Sequence, residues 1–486
     1  MTPAFSNTYA RLPERFFVRQ DPASVPEPTL VRLNTGLAES LGLDVKWLAG
    51  KDGVAMLAGN VMPDGAEPLA MVYAGHQFGG WSPRLGDGRA ILLGEVLAPD
   101  GSRHDLHLKG SGRTPYSRGG DGKAHLGAVL REYIISEAMA ALGIPTTRAL
   151  AAVATGETVL REQPMPGAVL TRTAQSHIRV GTFEYFASRD DTEALSALLG
   201  HVIERHYPAA GAAEVPALAM LDAVLHRQAD LIAQWMSVGF IHGVMNTDNM
   251  SIAGESIDFG PCAFMDAYHP STVFSSIDGQ GRYAWANQPR IAHWNLAQLA
   301  QSLLPLIDGP PEQAAETAQS VLNRFPAAFQ AAYGARFGAK IGLAALGEPE
   351  AGLMQDLLAM MATDAVDFTQ AFTALTRGLA AADFGSFRAL FGHAQEIDVW
   401  LEQWRARVGK EPAETAIARM RGANPVVIPR NHRVEAALEA AIAGDIGVFE
   451  NLLSAIATPF TEARDLADYE TPPQPEEIVT ATYCGT

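Results

Sequence analysis

An α+β fold, with a small β-rich part followed by a larger helical part, is what the sequence predicts, and three observations carry it. Short apolar runs between Gly-bearing turns fill residues 71–175, apolar residues recur at helical spacing beyond about residue 190, and the strands precede most of the helices. A chain of 486 residues and 51.9 kDa has room for about three domains or one elaborated catalytic core.

The elements follow in order. Residues 1–70 carry turn signals (Asp21-Pro22, Pro26, Pro28, Pro63-Asp64-Gly65) around a short helical patch, Val31 to Leu41, and read as an extension wrapped on a larger body. Ala90 to Leu97 and Asp105 to Lys109 read as two strands, the second with Leu106 and Leu108 alternating with polar neighbours, and Ala98 to Ser102 joins them as a hairpin. After a loop rich in Gly and Arg, residues 125–142 read as a helix stopped by Gly143 and Pro145. Two short strands are expected around Thr155-Gly156-Glu157, between Arg148 and Arg161, and one more over Gly167 to Thr173. Helical spacing then covers 191–206 and 217–238, and a loop-like stretch runs from His242 to Pro270. Residues 301–470 form a helical extension, with patterns such as Ala351 to Met361 and Arg433 to Ala443, following a helix over Asn295 to Leu306. Residues 471–486 are a Pro-rich tail ending near Cys484.

Composition removes several functions. Lys plus Arg number 36 against 54 Asp plus Glu, a net charge of −18, which argues against a general binder of nucleic acid or anionic membrane. Two cysteines, Cys262 and Cys484, cannot build a disulfide framework or a Cys-rich zinc module. His76, His104, His107, His125 and His242 lack zinc-site spacing. The first residues have no apolar core of a secretion signal, and no stretch approaches the 18 apolar residues of a membrane span, so a soluble, cytoplasmic, monomeric enzyme is expected.

A nucleoside triphosphate needs a Gly-bearing turn whose backbone can approach phosphate, fixed cations, and oxygen ligands for a metal. Leu85-Gly-Asp-Gly-Arg89 supplies such a turn before a strand, Lys109 ends the next strand, and Glu132 follows in the first helix. That is the order in which protein kinases present their Gly-rich loop, strand lysine and helix glutamate. Further on, His242 to Ile252 (HGVMNTDNMSI) and Ile257-Asp-Phe-Gly260 parallel the kinase catalytic and metal loops, with Asn249 and Asp258 as hard oxygen ligands for Mg²⁺.

The departures discriminate further. Gly243 and Val244 stand where a kinase carries Arg and its catalytic Asp, which disfavours ordinary phosphoryl transfer. Asp248 is the only carboxylate of that loop, and it can take a hydroxyl proton, orient a metal shell, or simply cap a turn. Residues 101–131 hold six cations (Arg103, Lys109, Arg113, Arg118, Lys123, Arg131) against Asp105 and Asp121, a net +4, and Arg172 and Arg179 lie near the end of the last strand. Such a run is either a solvated basic face or a pocket for several phosphates, and the pocket suits attack at the α-phosphate, where pyrophosphate must be stabilised as it leaves.

The stretches YAGHQFGGWSPRLGDGR (73–89), LKGSGRTPYSRGGDGKA (108–124), HGVMNTDNMSI (242–252), IDFGPCAFMDAY (257–268) and the third-from-last Cys484 resemble the selenoprotein O family, with the likeness running from NTYARLPERFF to the tail. The resemblance implies a protein-kinase-like bilobal fold, with an N-lobe over 71–175, a C-lobe over 176–300 and the helical extension beyond. It implies a flipped ATP, and AMP transfer to Ser, Thr or Tyr hydroxyls of target proteins with Mg²⁺ or Mn²⁺. Under it Lys109 and Glu132 form the ion pair of the pocket, and Gly86, Gly88, Arg89, Asp121, Gly122, Arg172 and Arg179 contact the nucleotide. Asn249 and Asp258 hold the metal, and Asp248 accepts the proton. It further implies redox regulation, for which a reversible Cys262–Cys484 disulfide stands against two unrelated thiols. A UMP transferase, a γ-phosphate kinase and an inactive nucleotide-binding scaffold are the competing readings.

Overall fold

The computed structural model describes residues 2–463 and 466–482. Twelve strands among them are β1 (Phe17–Arg19), β2 (Thr29–Leu33), β3 (Leu69–Met71), β4 (Gly75–Gln77), β5 (Gly80–Ser82), β6 (Ala90–Leu97), β7 (Arg103–Lys109), β8 (Ala124–His125), β9 (Arg148–Leu160), β10 (Pro164–Ala174), β11 (Phe240–Ile241) and β12 (Ala263–Phe264). Eight of them make one antiparallel sheet in the order β1-β3-β6-β7-β10-β9-β2, with β8 beside β10. The remainder of the chain is largely helical, so the mixed α/β architecture with a sheet in its N-terminal part is as expected.

Three local differences have physical causes. Val31 to Leu33, read as helical, lie in β2, where Arg32 and Leu33 pair with β9 and Val31 sits at an irregularity in the register; the helix Thr35–Ser40 starts only after Asn34, whose side chain accepts from the Leu37 N–H at 3.1 Å. The two short strands expected between Arg148 and Arg161 are the single strand β9, since the Thr155-Gly156 turn signal bends the strand without ending its pairing. The first residues do more than wrap. Phe5 bridges Val96, and the buried Glu95 carboxylate accepts from the Thr8 hydroxyl at 2.6 Å and the Tyr9 N–H at 2.6 Å, which fastens the N-terminus to β6.

The helix Leu126–Ala141 is apolar on most of its circumference, as a helix covered on several sides must be. It packs between β9 and β10 on one side and the helices Asn431–Ile442 and Gly447–Ile456 on the other. Apolar side chains of the sheet and of the helical part, Leu108, Leu130, Leu231 and Phe264 among them, join one continuous core. Among the described residues no helix is long and apolar enough to cross a membrane.

Candidate active site

A cavity of about 710 Å³ opens between the sheet and the helical part, within the size range of small-molecule sites. Lys109 reaches it from the end of β7, which pairs with β6 and β10 and is thereby held on both edges. Lys109 Nζ donates to Glu132 Oε2 at 2.5 Å and to Asp258 Oδ1 at 2.8 Å. From β10, Arg172 Nη1 donates to Glu132 Oε1 at 3.0 Å and Asp258 Oδ1 at 2.6 Å. Arg179, at the start of the helix Val180–Ala187, donates to Asp258 Oδ2 at 2.5 Å and to the Asp248 carbonyl at 2.6 Å, with its guanidinium 4.7 Å from the centre of the Tyr73 ring.

Lys109, Arg172 and Arg179 against Glu132 and Asp258 leave 3 − 2 = +1 in this cluster. Burial pushes the Asp258 carboxyl up, but Lys109, Arg172 and Arg179 outweigh it and hold the group well below the usual carboxylate range. Burial likewise works against the charge on Arg172, and the Asp258 and Glu132 carboxylates more than offset it. Asp248 has no such partner set: burial pushes its carboxyl up to about 6, against one hydrogen bond from Gln77. Its Oδ1 is buried with no hydrogen-bond partner among the described residues.

The Gly turn is locked to the loop that follows β7. Thr114 Oγ1 donates to the Asp87 carbonyl at 2.6 Å, Ser117 Oγ donates to the Gly88 carbonyl, and a Cβ at Gly86 would lie 2.4 Å from the Tyr116 ring. Gly88, Arg89 and Gly122 line the same cavity. Asp121 also lines it, and its carboxylate accepts from Arg161 at 2.9 and 3.1 Å, a pairing that no spacing in the sequence signals. Behind the turn, Asp87 accepts from the Met71 N–H at 3.1 Å and from His107 Nε2 at 3.2 Å, while His107 Nδ1 accepts from Arg172 Nε at 3.2 Å. Burial keeps His107 below the usual histidine range, so the neutral ring relays position from Asp87 to Arg172.

In the loop after β11, His242 Nε2 lies 2.8 Å from the Ile257 carbonyl and acts as a brace between the two loops. Asn249 Nδ2 donates to the Val244 carbonyl at 2.9 Å, which turns the amide oxygen free for another role. Val244 lines the cavity.

Three cations of the predicted basic cluster do not line this cavity, the first being Arg113, which donates to the Gly120 and Gly119 carbonyls at 2.9 and 3.1 Å. Arg103 donates to the Ser6 carbonyl and to Glu95 at 3.2 Å, tying down the N-terminus. Arg131 is bound to the carbonyls of Gly260 and Cys262 and to Asn431 and Glu435. All three are taken up by adjacent carbonyls or carboxylates, so the basic count of residues 101–131 overstated the pocket. Sequence reasoning missed Tyr73, Gln77, Arg161 and Asn246, all at the cavity. Cys262 is buried beside Pro261, whose carbonyl accepts from Thr482 Oγ1 at 2.5 Å; Cys484 lies outside the described residues.

Comparison with known proteins matches residues 1–457 to the family described as protein adenylyltransferase SelO. The chain is 57% identical to the protein nucleotidyltransferase YdiU of Rhizobium johnstonii, over 99% of its own length and 97% of that protein. It is 57% identical to the YdiU of Rhodopseudomonas palustris and 55% identical to that of Bradyrhizobium diazoefficiens, over 99% of both chains in each case. Agreement of that extent along nearly the whole length makes this chain a member of the SelO family and a protein nucleotidyltransferase.

Proposed function

We propose that the protein transfers AMP from ATP to Ser, Thr or Tyr hydroxyls of other proteins and releases pyrophosphate. The observation that carries this reading is the convergence of Lys109, Arg172 and Arg179 on one carboxylate beside the Asp248–Asn249 turn. Three fixed cations suit a departing pyrophosphate, whose charge grows as the bond from the α-phosphorus to the bridging oxygen breaks. The acceptor hydroxyl oxygen forms the new bond to the α-phosphorus, the electron pair leaves with pyrophosphate, and Asp248 takes the hydroxyl proton.

The cleft belongs to a kinase-like bilobal arrangement, supported by the Lys109–Glu132 pair, with Gly86, Gly88, Arg89, Asp121 and Gly122 as further nucleotide contacts. The family implies a divalent ion, Mg²⁺ or Mn²⁺, and the residues fit one. Asn249 keeps its amide oxygen, Asp258 has two carboxylate oxygens, now bonded by Lys109, Arg172 and Arg179, and the neighbouring Asp248 Oδ1 is buried without a partner among the described residues. Asn249 and Asp258 would hold the ion, which when bound supplies charge neutralisation and alignment for the triphosphate. A reversible disulfide between Cys262 and Cys484 would regulate the enzyme. Its support is the docking of Thr482, two residues before Cys484, on Pro261, one residue before Cys262.

The test is incubation with candidate acceptor proteins and ATP labelled at either the α or the γ phosphate. Covalent α label is expected; γ label alone would mean a kinase, label only from UTP a UMP transferase, and no label from any nucleotide an inactive scaffold. Thiol titration and transfer with and without dithiothreitol test the disulfide, and an unchanged thiol count removes it.

A further inference from the structure

The stretch Ala74 to Ser82 contributes nothing obvious to phosphate binding, yet it forms the β4–β5 hairpin directly against the turn that carries Asp248. Three successive hairpin residues each make one bond to that turn. The His76 N–H donates to Thr247 Oγ1 at 2.7 Å, Gln77 Nε2 donates to Asp248 Oδ2 at 3.1 Å, and the Phe78 N–H donates to Asn246 Oδ1 at 3.0 Å. The same Asn246 oxygen accepts from the Tyr283 hydroxyl at 2.6 Å, and the Tyr283 ring meets the Phe78 ring edge-on at 5.1 Å.

Two features show that this fit is tight. Phe78 sits at φ +52°, a left-handed conformation that a bulky residue adopts only when its surroundings hold it there. Gly75 leaves room for the carboxylate: a Cβ at that position would lie 2.5 Å from Asp248 Oδ1. The Asp248 side chain therefore occupies space that a side chain at residue 75 would take, and one donor, Gln77, holds it there.

We propose that the β4–β5 hairpin is a template for the catalytic turn and that Gln77 is the positioning residue that fixes the Asp248 carboxylate in the cleft. This rests on the reading of Asp248 as proton acceptor. Gln77 lines the cavity, but its amide donates to Asp248 rather than to the Lys109–Arg172–Arg179 cluster that would hold the phosphates. Loss of the Gln77 donor therefore acts on the rate of transfer and spares nucleotide binding.

The experiment compares the full-length protein with Gln77→Met, which keeps the bulk and removes the donor, and with Gly75→Ala, whose Cβ would displace the carboxylate by steric contact. Transfer from α-labelled ATP to casein is followed at varied ATP, and crystal structures of the variants are determined. For both variants kcat is expected to fall about 10- to 100-fold, the size of one hydrogen bond to a charged group, with KM for ATP within about twofold of the parent. The Asp248 carboxylate should have moved from its place beside Gly75. A parent-like kcat in Gln77→Met, or an unmoved carboxylate, overturns the assignment, as does a rise in KM that accounts for the loss. If the parent transfers no α label, the reading of the reaction fails and the position of the Asp248 carboxylate in Gln77→Met alone decides the positioning role.

Discussion

Arg131 Nη2 donates to the carbonyl oxygen of Cys262 at 2.7 Å, which joins the helix below the sheet to the segment that follows Asp258-Phe259-Gly260. The same guanidinium reaches Asn431 at 2.9 Å and Glu435 at 2.7 Å, so three distant parts of the chain meet on one side chain. Arg131→Ala leaves two carbonyls and an amide oxygen short of a donor. Urea unfolding should show a loss of roughly 3 kcal/mol, and Arg131→Lys should recover only part of it, since an ammonium cannot span the same set of acceptors. A loss below about 1 kcal/mol would mean that water replaces these bonds.

The contrast between Arg131 and Lys109 explains what could be read from the residues alone. Lys109, Glu132 and Asp258 stand in an order that chemistry recognises, and the alternation around Leu106 and Leu108 and the helical spacing of 125–142 are local patterns, so the strand, the helix and the meeting of Lys109 with Glu132 and Asp258 were legible. Arg131 bonds Glu435 across 304 residues, and no local pattern reports a separation of that kind. Gln77 and Asn246 were missed for the same reason, being 168 to 171 residues from their partners. Val31 to Leu33 failed differently: three apolar or long side chains fit a helix or an edge strand, and pairing with β9 decided the matter.

Asp258 is neutralised by three cations, and this gives its substitution two opposite effects. Asp258→Ala should abolish transfer, because the proposed metal ligand is lost. It also raises the charge of the cluster from +1 to +2, counting Lys109, Arg172, Arg179 and Glu132. ATP in the presence of EDTA should then bind the variant severalfold more tightly than the parent by calorimetry. Weaker metal-free binding together with lost transfer would show that the carboxylate organises the cations rather than competing with phosphate for them.

Gly86 faces the Tyr116 ring at φ +78°, with 2.4 Å between the ring and the position a Cβ would take. Gly86→Ala should cost about 2–4 kcal/mol in unfolding free energy and raise KM for ATP, since the ring must swing into the cavity. Gly101→Ala is the matched control: its φ is +84° but nothing lies within 4 Å, so it should lose only about 1 kcal/mol and leave KM alone. Equal losses in the two variants would assign the whole effect to backbone conformation.

Glu255 tests how the polar core behind the cleft responds to pH. It is buried, it accepts from the Gln175 N–H at 3.0 Å, and burial pushes its carboxyl up to about 8, beyond what nearby Arg205 and Arg227 offset. In the unfolded chain the group titrates near 4.5, so between that pH and about 8 the folded protein holds a proton that the unfolded chain has released. Unfolding is then accompanied by proton loss, and stability from this residue is full below about pH 4.5 and declines as pH rises, by at most about 1.4 kcal/mol per pH unit, levelling off above about 8. Glu255→Gln removes the titration while keeping the acceptor for Gln175. Its stability relative to the parent, measured by urea unfolding at pH 5 and pH 8, should improve at the higher pH. A difference that stays constant across the two conditions would show that Glu255 is ionised in the folded protein throughout, with Arg205 and Arg227 as its effective counter-charges.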